Sequence, residues 1–144
     1  MEREAESNEE KKKYLNGYHC SKRREARLVQ QIEDLRSQKM NPSLQIDGLP
    51  KGNKHSDLSG YAARLDALIR QLEQEREMAV KQYEEIHTQI HKMQDETERD
   101  VLIRRYLLGE TWEQIAAEMN YNYRSVLKIH GRALKNFQIF ERGH

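Results

Sequence analysis

A chain of 144 residues has room for one domain, or for one small domain with an extension. Charged residues make up 34% and the hydrophobic set only 36%, with 2 Phe and 1 Trp, a composition that argues against a large compact core and for elongated helices sharing a narrow apolar seam. The net charge of +1 leaves any nucleic-acid signal to local distribution, the lone Cys20 excludes an internal disulfide or a four-thiolate zinc site, and no stretch approaches the roughly 18 apolar residues that span a membrane.

The first residues, MEREAESNEEKKK, lack the apolar core of a signal peptide, so a soluble cytoplasmic protein with residues 1–12 disordered is expected. From Lys12 to Met40 the only glycine is Gly17 and there is no proline. Leu28, Ile32, Leu35 and Met40 fall three to five apart, which predicts a first helix over about 13–40. Both prolines, Pro42 and Pro50, lie with Gly48 and Gly52 in NPSLQIDGLPKGNKHSD, which predicts a connection over 41–56. Ser56 or Asp57 is the natural cap for a second helix over about 57–94. There Leu65, Leu72, Ala79, Ile86 and Met93 recur at heptad spacing, and Leu68, Ile69, Tyr83 and Ile90 widen the stripe. The simplest arrangement for residues 13–96 is an antiparallel helical hairpin, with the stripe packing within the chain or between two copies. Asp95, Thr97 and Asp100 resemble a helix start, which places a break around 94–97.

Residues 97–144 read as three short helices. Val101, Leu102, Tyr106 and Leu107 form one apolar side, and Gly109 ends the first helix. Thr111 with Gln114 three residues on makes a capping box for the second, whose buried face is Ile115, Ala116 and Met119. The third offers Val126, Ile129, Ala133, Leu134 and Phe137 to the core. Together these positions fit a helix-turn-helix: a small residue at Ala116, a left-handed turn at Asn120, an apolar turn residue at Tyr121 and an N-cap at Asn122. The expected fold class is therefore all-α.

RRYLLGETWEQIAAEMNYNYRSVLKIHGRALKNF resembles region four of bacterial sigma factors, the part that reads the upstream promoter element. The resemblance covers roughly residues 97–138 and is densest at SVLKIHGRAL. The remainder, including IDGLPKGNKHSDLSGYAARLDALIRQL, is similar to a group of small phage-encoded proteins with this ending, several of which regulate late transcription. The resemblance implies a phage or prophage transcription regulator, cytoplasmic and nucleoid-associated in a bacterial host. Asn120 stands where that family usually has glycine, and Tyr123 where a small or acidic residue is commoner. Nothing in residues 1–96 resembles the aromatic, basic helix with which a complete sigma factor melts promoters.

The second helix of a helix-turn-helix puts its first turns into the major groove. Tyr123, Arg124, Ser125, Leu127 and Lys128 are the candidate base-facing residues, with Arg124 suited to guanine and Leu127 to a thymine methyl. Lys128, Arg132 and Lys135 would follow phosphate, while Thr111 would offer its hydroxyl and nearby backbone N–H groups to another phosphate. Asn122, at the turn, completes the candidate set. No acid occurs between Glu118 and Glu141, as a surface lying against DNA requires. Double-stranded DNA is the expected partner; RNA polymerase contact and a homodimer through the coil stay open. A phage DNA-packaging protein such as a small terminase subunit, or a pure coiled-coil adaptor, remains the alternative. His87 and His91, with Glu84 one turn earlier, have zinc-ligand spacing but no further ligand pair, and read as surface or interface histidines. Lys22, Arg23, Arg24 and Arg27 read as a solvated face, and Cys20 as an incidental thiol. No phosphate loop or nucleophile arrangement is present, so no enzymatic activity, cofactor or metal is expected.

Overall fold

The computed structural model describes residues 7–40 and 54–140, and these are helical with no strand among them. Helix α1 (Asn8–Leu15) begins where the Ser7 hydroxyl accepts the Glu10 N–H at 3.1 Å, with Glu9 and Glu10 in its first turn and Lys12 and Lys13 in its last. That order of charge complements the helix dipole. Residues 8–12, expected to be disordered, are thus helical, and residues 1–6 lie outside the described part. The reason is tertiary: Leu15 is fully buried and Lys11 nearly so.

A single turn residue, Asn16, separates α1 from α2 (Gly17–Met40). The expected connection lies outside the described residues over 41–53, and α3 (Lys54–His91) starts ahead of the expected cap at Ser56 or Asp57. After α3, the Asp95 carboxylate accepts the Glu98 N–H at 2.9 Å and opens α4 (Glu96–Leu102). The next five residues, Ile103–Leu107, widen into a π-helical turn in which the Leu108 N–H reaches back to the Ile103 carbonyl at 2.9 Å. Gly109 then reverses the chain with φ 72°, where a Cβ would come within 3.0 Å of the His19 ring. The positive φ favours glycine, and the His19 ring would have to shift to admit any larger residue. Helices α5 (Trp112–Met119) and α6 (Tyr123–Asn136) complete the order.

These helices form two compact units: residues up to Cys20 with those from Ala79 onward, and Ser21–Met78. The division differs from the expected boundary at 96–97. Its cause is the α3 stripe, whose far end (Ile86, Ile90, with Met93 just beyond) is buried in one cluster with Leu15, Leu102, Tyr106, Leu107, Ala133, Leu134 and Phe137. In the other unit Leu28, Ile32 and Leu72 are the buried residues, with Val29, Leu65, Leu68 and Ile69 half-buried against them. There Arg24 pairs with Glu75 at 2.8 Å and Arg76 with Glu25 at 3.3 Å. No helix among the described residues is long and apolar enough to cross a membrane.

Candidate nucleic-acid interface

Local side-chain chemistry sets both ends of α5. Thr111 Oγ1 accepts the Gln114 N–H at 3.1 Å, and Gln114 Oε1 accepts the Thr111 N–H at 2.8 Å. Reciprocal bonds of this kind satisfy two otherwise orphaned donors. They also occupy the Thr111 and Gln114 N–H groups, two of the backbone donors near Thr111 that were expected to face phosphate. Glu110 and Glu113 flank this exposed threonine, and Glu110 is held by Arg104 at 3.4 Å.

At its other end α5 stops at Asn120, with φ 58° and ψ 38°, the one positive-φ non-glycine among the described residues. The Tyr121 N–H reaches the Ala116 carbonyl at 3.0 Å and the Asn120 N–H the Ala117 carbonyl at 3.4 Å, the paired closure of a left-handed helix stop. Asn120 tolerates this conformation because its short amide relieves part of the strain that a larger side chain would feel. Tyr121, expected as the apolar residue of the turn, is 43% exposed. Asn122 returns to extended backbone, and its Oδ1 accepts the Ser125 N–H at 2.8 Å to start α6.

Helix α6 has two distinct faces. Val126, Ile129, His130, Ala133 and Leu134 are buried. Val126 and Ile129 pack with Val101, Ile115 and Ala116 in a cluster that fixes α6 against α5, while half-buried Trp112 and Met119 close its edge. Burying an aliphatic side chain of this size stabilises by about 1.5–3 kcal/mol, so the α5–α6 contact is held firmly. On the other face Tyr123, Arg124, Leu127, Lys128, Arg132 and Lys135 are exposed, with Ser125 half-buried at its border. Asn122 and Thr111 are also exposed. One helix therefore gathers seven of the nine candidate residues; Asn122 precedes it directly, and Thr111 stands apart at the start of α5. Among the described residues none of Arg124, Lys128, Arg132 and Lys135 makes an ion pair, so the face keeps its full positive charge.

Three features of α6 and its surroundings had little or no signature in the sequence. His130 is buried, with Nε2 2.7 Å from the Tyr106 hydroxyl and its ring edge-on to Trp112 at 4.6 Å. Burial, reinforced by Lys12 and Arg105, pushes the imidazole down to about 4. Burial also pushes the Tyr106 phenol up to about 12. At neutral pH both groups are therefore uncharged, and the Tyr106 hydroxyl and His130 Nε2 share one neutral hydrogen bond. Arg105 lies 4.4 Å over the Trp112 ring and donates to the Glu110 carbonyl at 3.1 Å. The π-helical turn, the start of α5 and the middle of α6 are thereby joined. His130 had a weak signal, because it lies on the Val126/Ala133 side of α6 by periodicity.

The second feature is Lys11, whose ammonium donates to the Leu134 carbonyl at 2.8 Å and the Lys135 carbonyl at 3.4 Å. A buried cation at the C-terminal end of α6 satisfies orphan carbonyls and complements the dipole. No local pattern could announce a contact between residues so far apart in sequence. The third is Gly131, inside α6 on its exposed side, where an added Cβ would meet nothing within 4 Å.

The other candidates look different. Lys22 pairs with Glu25 at 2.9 Å and Arg24 with Glu75, so part of that basic run is already neutralised. His87 and His91 bring their Nε2 atoms to 3.0 Å, with Tyr83 stacked on His87. Among the described residues no group of three or more histidine, cysteine or acidic side chains is arranged to hold a metal ion. Cys20 forms no disulfide. No protein-family model, curated protein or solved structure matches the chain.

Proposed function

We propose that the chain is a sequence-specific regulator of transcription that binds double-stranded DNA through a helix-turn-helix of the sigma region-four type. In this reading α5 supports and α6 reads, and α2 and α3 form a hairpin extension that is open to pairing with a second copy. The carrying observation is the outward face of α6: four cations that make no ion pair among the described residues, no acid on the helix, and a fixed start at the Asn120–Asn122 turn. Arg124, in the first turn, has the reach and fork geometry to bond guanine O6 and N7 in the major groove. Lys128, Arg132 and Lys135 recur at three- and four-residue steps and would track one phosphate strand, supplying salt-sensitive affinity. The resemblance to late-transcription regulators of phages adds the role, with bacterial RNA polymerase as the second partner at a promoter-proximal site.

The test is selection of bound duplexes from random DNA with the full chain, followed by run-off transcription with bacterial polymerase on templates carrying the enriched motif. A reproducible motif and altered transcript yield are expected. Absence of enrichment overturns the DNA reading, and an enriched motif without any transcriptional change overturns the regulatory role alone.

A further inference from the structure

Resting on that reading, the outward face of α6 carries a feature that cations alone do not account for. Tyr123, Leu127 and Gly131 are spaced i, i+4 and i+8, so they form one line along the helix. Tyr123 is 45% exposed and Leu127 37%, and Tyr121, just before the helix, is similarly open. The line thus begins with bulky apolar groups in water and reaches, before Lys135, a glycine whose added Cβ would meet no described atom within 4 Å. Glycine inside a helix is unfavourable relative to alanine, and here no neighbour among the described residues needs the room. Such a residue suits close approach by a partner's backbone.

We infer that this line docks in the major groove and reads thymine, with Tyr123 and Leu127 against 5-methyl groups and Gly131 against the sugar-phosphate backbone. The occupant follows from charge: Arg124, Lys128 and Arg132 border the line, Lys135 continues it and no acid interrupts it, so a polyanion with apolar groups on its groove floor is the complementary surface. Among the bases of unmodified DNA only thymine presents a methyl group there. The assignment adds a second kind of specificity to the arginine–guanine contact, based on shape and hydrophobic contact.

The experiment compares the enriched duplex with the same duplex in which each thymine is replaced by uracil. Uracil keeps every hydrogen bond and loses only the methyl. Affinity of the wild-type chain should fall by about fourfold for each methyl buried, on the scale of one buried CH₂. The Leu127→Ala chain should show a smaller thymine-over-uracil ratio than wild type. Leu127 is exposed, so this variant keeps its core. Equal affinity of wild type for the two duplexes overturns the inference, and is also the result expected if the apolar line serves a protein partner. Because the comparison starts from an enriched duplex, it can fail while DNA binding itself stands.

Discussion

Arg124 and His130 sit on opposite faces of α6 and are tested in different ways. Arg124 is exposed and makes no ion pair among the described residues, so its removal leaves packing intact. Arg124→Ala should keep the far-UV circular dichroism of wild type and lose about 1–3 kcal/mol of discrimination at one base pair. A selection experiment that returns the wild-type motif for this variant removes Arg124 from the reading. His130 acts on stability. Its imidazole titrates near 6.5 when unfolded and about 4 when folded, so the unfolded state takes the proton first as pH falls. The contribution is therefore complete above about pH 6.5 and declines as the pH drops toward 4. The size is about 2 kcal/mol once partial screening by solvent is allowed for. Urea midpoints of wild type and His130→Phe should accordingly converge between pH 7 and pH 5, and a constant gap would show that His130 does not titrate in this way.

At the scale of elements, the stops and starts were legible because each rests on contacts three or four residues apart. The Thr111–Gln114 box and the Asn122 and Asp95 caps use a side chain bonded to nearby backbone, and the Asn120 turn uses a residue type that tolerates positive φ, so all four follow from residue type and spacing alone. The heptad stripe was equally readable, since Leu72, Ala79, Ile86 and Met93 are all buried. Helix α1 was not, because EEKKK has a solvated composition and its order depends on Lys11, Tyr14 and Leu15 meeting the far end of the chain. The Tyr106–His130 bond behind α6 was hidden for the same reason, since it spans 24 residues. Lys11→Met, which keeps an apolar stem but no donor, should destabilise the fold by about 1–2 kcal/mol and speed amide exchange in the last turn of α6. Unchanged exchange there would mean the contact contributes nothing. Gly131→Ala should raise stability by about 1 kcal/mol while weakening DNA binding, a divergence that a purely structural glycine does not produce.

For the whole molecule, a net charge of +1 makes nonspecific attraction to DNA weak, so affinity must come from the one face where cations are concentrated. The compact units also change how truncations should be designed. A fragment cut at residue 97 would lose Leu15, Ile86, Ile90 and Met93 from the core beneath α6, and is expected to be poorly folded. The full chain is the appropriate reagent. With it, the most direct measurement is affinity for the enriched duplex as a function of salt, for wild type and for a variant with Arg124, Lys128, Arg132 and Lys135 all changed to Gln. Wild type should bind with a log–log salt slope of about −0.9 for each phosphate neutralised, and Lys128→Ala alone should reduce that slope by about one contact. The fourfold variant should fold normally and fail to bind. Equal affinity and equal slope for the wild type and the fourfold variant would contradict the assignment of α6 as the DNA-reading helix.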